Sequence, residues 1–149
     1  MSFIILQNAL KSDYGITDEI LFERQENGKP YLEKHPDIHF NISHCRKGIL
    51  CVISTEGSIG CDIEEIVEEI DKNIMDYCCN EAERQTIMTS KDPETEFTKL
   101  WTRKESLLKY TGDGLQNDIS DILNTPLAHS LHIETYVEAD KRIVYSVCH

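Results

Sequence analysis

The alternation of apolar and polar residues along the chain predicts several short β-strands. Three of them lie in the first half of the sequence, and two more near its end flank a polar turn at 138–142. A further apolar run opens the chain. The predicted strands cover residues 3–6, 38–42, 49–54, 58–64, 131–137 and 143–147. The last two are expected to form a hairpin.

Three helices are predicted between these strands. A short one covers residues 17–22. A second begins after Asn80, whose side chain can cap it while Glu83, three residues on, reaches back to the cap. A longer helix covers 93 to about 110, with proline as its first residue and Gly112 after its end. Because strands and helices mix without regular strand–helix–strand alternation, we expect an α+β fold.

The long predicted helix carries a lysine where an apolar residue is expected. An apolar stripe begins at Phe97, and Lys104 lies within it at helical spacing. An ammonium group on such a stripe is costly unless it meets an anion or reaches water. Segment 99–109 also concentrates basic residues around a single acidic residue, Glu105. Two interpretations are open: an anion-binding site, or an exposed helix face with a Glu105–Lys109 pair.

The strand predicted at 58–64 places two carboxylates on one face. Asp62 and Glu64 are two residues apart, with Ile63 on the opposite face. Adjacent like charges repel unless a cation lies between them. Mg²⁺ binds one or two carboxylates together with water and phosphate oxygens. A divalent-metal site and an exposed acidic strand face are both compatible with this pattern.

Composition and charge disfavour several classes of protein. The 149 residues carry a net charge of −12, which opposes nucleic-acid binding through phosphate contacts. No apolar run approaches the ~20 residues of a membrane span, and the run at 3–6 is too short for a signal peptide. The six cysteines lack paired metal-ligand spacing and are expected to be reduced core thiols. We therefore expect a cytoplasmic protein with no nucleic-acid or membrane partner.

Three motifs in a fixed order point to one enzyme family. Residues 40–44 read Phe-Asn-Ile-Ser-His, residues 60–64 read Gly-Cys-Asp-Ile-Glu, and residues 101–109 read Trp-Thr-Arg-Lys-Glu-Ser-Leu-Leu-Lys. Gly-Lys-Pro precedes them at 28–30, and Gly-Asp-Gly-Leu follows at 112–115. In this order and spacing the sequence resembles the 4'-phosphopantetheinyl transferases, in particular the larger type that activates peptide and polyketide synthetases.

That resemblance implies a substrate, a metal and a set of site residues. Such enzymes move the phosphopantetheine arm of coenzyme A onto a serine of an acyl or peptidyl carrier protein and release 3',5'-ADP. The carboxylates that hold Mg²⁺, or Mn²⁺, against the pyrophosphate match Asp62, Glu64 and Glu105. The coenzyme A phosphate contacts match Lys29, Ser43, His44, Lys104 and Lys109. Lys104 and Lys109 are also expected to act in catalysis.

The family further implies a base that deprotonates the carrier serine. Its motif aligns best with residues 79–83, which selects Glu83. An alternative register selects Glu81 but loses an apolar residue at its end. Glu83 is also the predicted capping residue of its helix, so capping and catalysis would compete for one carboxylate. Both glutamates are therefore open as the base.

The resemblance also sets expectations for organisation and partners. We expect one transferase domain over residues 1–149, built as two unequal pseudo-symmetric halves, each a small antiparallel sheet packed on a helix. The reduced N-terminal half covers about 1–55, and the C-terminal half, about 56–149, carries the metal site. The active site is expected between them, in a monomer or small homo-oligomer serving fatty-acid or secondary-metabolite synthesis. The short N-terminal half leaves an alternative function, a non-catalytic homologue that binds coenzyme A or a carrier protein.

Overall fold

The computed structural model describes residues 2–114 and 116–149, apart from the side chain of Ser2. In chain order, the elements within this part of the sequence are α1 (Ser2–Tyr14), β1 (Phe22–Arg24), β2 (Pro30–Leu32), β3 (His39–Cys45), β4 (Gly48–Ser54), β5 (Gly60–Glu65), α2 (Lys72–Cys78), α3 (Glu81–Met88), α4 (Pro93–Thr111), α5 (Pro126–Ser130), β6 (Ile133–Glu138) and β7 (Ile143–Cys148). Single 3₁₀ turns lie at Ile122–Asn124 and Ala139–Lys141. The fold is α+β, as predicted.

The first half of the chain packs one helix on two small antiparallel hairpins. β1 pairs with β2, and β3 pairs with β4. Leu6 and Leu10 of α1 are fully buried in a cluster with Leu32 and Phe40. These two leucines are four residues apart, so α1 presents one apolar stripe to the hairpins.

Two predictions for this half are wrong. Residues 3–6, predicted as a strand, form the start of α1, because the apolar run continues at helical spacing to Leu10. Residues 17–22, predicted as a helix, are irregular chain up to residue 21, and Phe22 begins β1. Gly15, at φ +68°, lies just beyond α1 in the left-handed conformation that commonly ends a helix. Beyond it, Ile16 and Ile20 pack on the same core without forming a helix.

The second half is a three-stranded antiparallel sheet, in the order β5-β7-β6, with α4 across one face. Side chains of β7 alternate between the two faces. Val144, Ser146 and Cys148 are fully buried, and Ser146 Oγ is hydrogen-bonded to Thr102 Oγ1 of α4 at 2.8 Å. The face of the sheet under α4 is therefore an inner face, and we call the opposite one the outer face.

The predicted elements of this half are confirmed. The 131–137 and 143–147 segments form the β6–β7 hairpin. α3 begins with the predicted capping box, in which Asn80 and Glu83 each accept the other's backbone N–H. α4 begins at Pro93 and ends at Thr111, and the next residue is Gly112, whose φ of 78° is left-handed. α2 was not predicted. It follows an acidic segment, and Asp71 caps it by accepting two backbone N–H groups.

Side chains of β3 join the two halves. β5 pairs with β7 on one side only, so the N–H groups on its other edge need partners. Asn41 Oδ1 accepts from Cys61 N at 3.0 Å, and Ser43 Oγ accepts from Ile63 N at 3.3 Å. The chain crosses between the halves after β4, close to the predicted boundary at residue 55. The predicted pseudo-symmetry of the halves stays a prediction.

Among the described residues, no helix is long and apolar enough to cross a membrane. All six cysteines are free thiols. Cys61, Cys78, Cys79 and Cys148 are buried, in line with their predicted place in the core.

Candidate active site

A cleft runs between the two halves, bounded by β3, β5 and α4. It contains a cavity of about 360 Å³ lined by Ile42, Ser43, His44, Asp62, Glu64, Trp101, Glu105 and Lys109. A neighbouring cavity of about 290 Å³ is also lined by Glu105 and Lys109 and reaches Lys29. Of the residues expected at the site, Lys104 and the two alternative bases, Glu81 and Glu83, line neither cavity. The structure therefore brings together motifs that are far apart in sequence.

Asp62 lies at the centre of this arrangement. Its side chain points to the inner face of β5 and is 3% exposed. Oδ1 accepts from Lys109 Nζ at 2.6 Å and from Ser43 Oγ at 2.9 Å. Gly60, two residues earlier, allows the close approach of β5 to α4, because a Cβ there would collide with the Ser106 and Tyr110 backbone. The small first residue of the Gly-Cys-Asp-Ile-Glu motif thus positions its carboxylate.

Ser43 links β3 to this carboxylate. Its hydroxyl oxygen accepts from Lys109 Nζ at 3.0 Å while its proton goes to Asp62. The side chain is buried, whereas that of His44, the next residue, is exposed at the rim. This alternation is what a strand requires, and it gives neighbouring residues different positions around one cavity.

Glu64 and Glu105 are half-buried carboxylates facing the same cavity. Burial raises the pKa of Glu64 above its usual value, and the negative charge of Asp62 raises it further. The pKa of Glu105 is raised for the same two reasons, and burial again has a larger effect than Asp62. The Lys109 ammonium opposes both shifts. Three acidic groups therefore share one positive neighbour, and the site carries an excess of negative charge.

The donor set fits a divalent cation. Asp62 Oδ2 and Glu105 Oε1 are buried, and within the described part of the chain neither has a hydrogen-bond partner. Orphaned carboxylate oxygens are costly, and a hard cation such as Mg²⁺ takes oxygen ligands of this kind. In the geometry of the structure, the oxygens of Asp62, Glu64 and Glu105 do not all lie within 4.8 Å of one another. The three carboxylates thus do not form a closed ligand set in this structure.

Lys109 does not form the helical pair with Glu105 that the spacing allowed. It reaches across to Asp62 on β5, with its side chain 31% exposed. Lys29 is held by the protein as well, since its ammonium donates to Ser58 Oγ, Ile59 O and Tyr110 O at 2.7, 3.1 and 2.9 Å. Burial lowers the pKa of Lys29. Both cations are preorganised at the edge of the cleft.

Lys104 occupies a different place from the one predicted. Its side chain is fully buried, and its ammonium donates to Glu83 Oε2 at 2.7 Å and to the carbonyl oxygens of Cys78, Ile119 and Ser120. The anion paired with this lysine is thus the Glu83 carboxylate of the protein itself. The structure does not bring Lys104 to the cleft, because five residues along a helix turn its direction by about 140° from that of Lys109.

Glu83 is held in the same pair. Its Oε2 accepts from the Asn80 N–H at 3.0 Å as well as from Lys104, and its side chain is 18% exposed. Glu81 is 89% exposed and lies 3.9 Å from Arg84. The predicted capping role of Glu83 is confirmed, while its predicted role as base stays a prediction.

Asn41 lies in the first motif, but the family resemblance gives it no role. It is buried and accepts from the β5 backbone, so it holds the strand that carries Asp62 and Glu64. The signal was the Asn-x-Ser spacing itself, since residues two apart on a strand face the same way. Leu115, the last residue of the Gly-Asp-Gly-Leu motif, lies outside the described residues.

Comparison with known proteins shows which family this chain belongs to. A family profile described as the 4'-phosphopantetheinyl transferase superfamily matches residues 58–146, which is more than half of the chain and includes Asp62, Glu64, Glu105 and Lys109. The chain belongs to this superfamily. Its relatives carry the name 4'-phosphopantetheinyl transferase, so the chain belongs to a family of enzymes.

Three relatives show how much of such a protein the chain covers. The 4'-phosphopantetheinyl transferase Sfp of Bacillus subtilis (strain 168) is 30% identical over 160 residues, which is 97% of this chain and 70% of the relative. The transferase psf-1 of Bacillus pumilus is 30% identical over 120 residues, 78% of this chain and 51% of the relative. The transferase gsp of Aneurinibacillus migulanus is 39% identical over 100 residues, 66% and 40% respectively. The chain thus spans between 40% and 70% of the length of these phosphopantetheinyl transferases.

Proposed function

We propose that this chain catalyses Mg²⁺-dependent transfer of the 4'-phosphopantetheine group from coenzyme A to a serine of an acyl or peptidyl carrier protein, with release of 3',5'-ADP. One observation carries the proposal. Asp62, Glu64 and Glu105 line one cavity between the halves, and two of their oxygens are buried without partners. Family membership supports phosphopantetheine as the group that is transferred.

The residues around the carboxylates are suited to an anionic substrate. Lys109 is partly exposed at the cleft, so its ammonium can turn toward a phosphate while it stays near Asp62. The exposed His44 lies on the opposite wall, and Ser43 beside it can donate to a phosphate once its proton leaves Asp62. Lys29 lies beside the neighbouring cavity, where a phosphate would have to replace one of its protein acceptors. We propose that these four residues bind the phosphates of coenzyme A.

The carboxylates would hold the divalent ion. Asp62 and Glu105 have buried, unpartnered oxygens, and Glu64 is the third ligand by position on the same face of β5. When bound, Mg²⁺, or Mn²⁺ in its place, would stabilise the charge that develops on the bridging oxygen as the phosphoanhydride breaks. The protein supplies a preorganised negative site, a lysine beside it and a cleft that positions the diphosphate.

The proton acceptor for the carrier serine is a separate part of the proposal. We retain Glu83, because it is the less exposed of the two glutamates and its Oε2 is held in place by Asn80 and Lys104. A Glu83→Gln variant keeps an acceptor for both partners but cannot take a proton. If Glu83 is the base, this variant loses most of kcat while it still binds coenzyme A, whereas Glu81→Gln keeps the wild-type kcat.

Intact-mass measurement tests the transfer directly. The protein is incubated with coenzyme A, Mg²⁺ and a panel of apo carrier proteins, and each carrier is weighed. We expect a mass gain of one phosphopantetheine on at least one carrier, with Mg²⁺ required. Glu105→Gln is expected to abolish the gain. Glu96→Gln is the matched control on the same helix, since Glu96 pairs with Lys99 at the surface, and it is expected to retain activity.

Binding measurements separate the enzyme from a non-catalytic homologue. Coenzyme A that binds only the folded protein must raise its unfolding midpoint. A midpoint that rises with coenzyme A, together with no mass gain on any carrier, contradicts the transferase proposal and supports the binding module. No response of either kind from the folded protein contradicts both.

A further inference from the structure

Two histidines and a glutamate meet on the outer face of the sheet, at the end of the β6–β7 hairpin. His132 precedes β6, and His149 follows β7. Their backbones form a pair: His132 N donates to His149 O at 2.7 Å, and His149 N donates to His132 O at 2.9 Å. Glu134 is two residues beyond His132 on the same strand, so all three side chains lie on one face.

The side chains of these residues are close together as well as aligned. The ligand atoms of His132, Glu134 and His149 all lie within 4.8 Å of one another, the only such group among the residues that the structure describes. His132 Nε2 lies 3.4 Å from Glu134 Oε1. The two imidazole rings are 5.3 Å apart between centroids and meet edge to face.

The donor set selects the class of metal. Two imidazoles and one carboxylate suit Zn²⁺ and similar first-row transition-metal ions, whereas Mg²⁺ prefers oxygen ligands alone. Bonds of about 2.0–2.1 Å in a tetrahedral site place ligand atoms about 3.3–3.4 Å apart. The His132–Glu134 separation already has this value. All three residues are exposed, which leaves a fourth position for water.

The glutamate is also oriented by a neighbour. Tyr136 Oη donates to Glu134 Oε2 at 2.9 Å, and the Tyr136 ring stacks on Tyr145 across the hairpin at 5.0 Å. Hydrogen bonds to a ligating carboxylate fix its direction and are a usual feature of metal sites in proteins. The oxygen that faces His132 is thus the one free to bind a metal.

We propose that His132, Glu134 and His149 form a Zn²⁺-binding site on the outer face of the β5-β7-β6 sheet. The site is separate from the cleft, because Asp62 and Glu64 lie on the inner face of the same sheet. Zn²⁺ there would link the ends of β6 and β7, and β7 pairs with the strand carrying the cleft carboxylates. The site stands whether or not the proposed transfer takes place.

Zinc titration of the metal-stripped protein, without an affinity tag and in excess Mg²⁺, tests the proposal. Mg²⁺ saturates oxygen-only sites, so isothermal titration then reports nitrogen-containing sites. We expect one Zn²⁺ per chain, and about tenfold or greater weakening in each of His132→Gln, Glu134→Gln and His149→Gln. His129→Gln is the matched control, because His129 is exposed on α5 and outside the group. It is expected to bind like the wild type.

Co²⁺ absorption identifies the ligands. Bands of tetrahedral nitrogen and oxygen coordination that are lost in His149→Gln support the site. Equal Zn²⁺ affinity in the wild type and His149→Gln, no binding in excess Mg²⁺, or a Co²⁺–thiolate band that places the metal on a cysteine would each overturn it. Transfer assays in Mg²⁺ alone are expected to be unchanged in His149→Gln, so failure of this site and failure of the proposed function are distinguishable.

Discussion

Asp62 is the residue on which the cleft depends most. One of its oxygens is shared by Lys109 and Ser43, and the other is buried without a partner. Its negative charge adds to the effect of burial on Glu64 and Glu105 and raises the pKa of both. The site is electrostatically strained in the absence of a cation, and this strain has a measurable consequence for stability.

The difference in stability between Glu105→Gln and the wild type is expected to depend on pH and on Mg²⁺. Because the folded pKa of Glu105 lies above its usual value of 4.5, the folded state binds the proton more tightly than the unfolded chain. The raised pKa of Glu105 therefore adds to the free energy of unfolding below pH 4.5, and this contribution is lost as pH rises through the folded pKa. In EDTA at neutral pH we expect the unfolding midpoint of Glu105→Gln to exceed that of the wild type.

Thermal unfolding over a pH series checks this expectation. The difference between variant and wild type should vanish toward acidic pH, where the wild-type carboxyl is protonated. Mg²⁺ should raise the wild-type midpoint increasingly as pH rises, because the metal requires deprotonated carboxylates. If the variant is less stable than the wild type in EDTA at neutral pH, burial of the Glu105 carboxylate does not destabilise the folded protein.

At the scale of elements, α4 serves two purposes with different faces. One face turns Glu105 and Lys109 to the cleft, while another directs Lys104 into the core. There the Lys104 ammonium joins the last residue of α2, the first turn of α3 and the 119–120 segment. A single buried cation thus holds three pieces of chain against α4.

Lys104→Met is expected to destabilise the fold strongly. Methionine fills similar space but leaves three carbonyl oxygens and the Glu83 carboxylate without their donor. Removing one partner of a buried pair costs about 3–5 kcal/mol of unfolding free energy, measured by urea titration. Lys99→Met on the same helix is the control, because Lys99 forms a surface pair expected to contribute less than about 1 kcal/mol. Equal free energies of unfolding in the two variants would show that Lys104 does not have this structural role.

At the scale of the whole molecule, the two halves meet through side chains of β3 and the backbone of β5. This junction aligns the wall carrying Ser43 with the strand carrying Asp62, so the cleft exists only when both halves are folded. The chain as a whole carries a net charge of −12. A negatively charged macromolecule therefore approaches this chain against its overall field.

Salt is expected to favour the encounter with an acidic carrier protein. Like net charges slow association, and screening shortens the range of the repulsion from about 30 Å at 0.01 M salt to about 8 Å at 0.15 M. With coenzyme A saturating and carrier dilute, we expect kcat/KM for the carrier to rise with KCl over this range. Initial rates at several salt concentrations measure it. A steep fall would indicate that docking depends on a local basic patch instead.

Much of the local structure followed from short stretches of sequence. The capping box of Asn80 and Glu83, the bounds of α4, the final hairpin and the shared face of Asp62 and Glu64 each depend on residues a few positions apart. α1 escaped prediction because residues 3–6 are apolar throughout, and only Leu10 reveals the helical period. Side-chain spacing within one element is what the sequence by itself determined, together with the family motifs.

The tertiary structure alone decided which groups meet. Lys109 and Asp62 are 47 residues apart in sequence, and Lys104 and Glu83 are 21 apart. The apolar stripe marks Lys104 as the lysine that faces packed chain, but no local pattern assigns either lysine its partner. That assignment depends on how α4 is rotated against β5, which is set by the packing of the whole second half. The pairing of His132 with His149 likewise arises from the register of the hairpin, since burial and contact across the fold are properties of the folded chain.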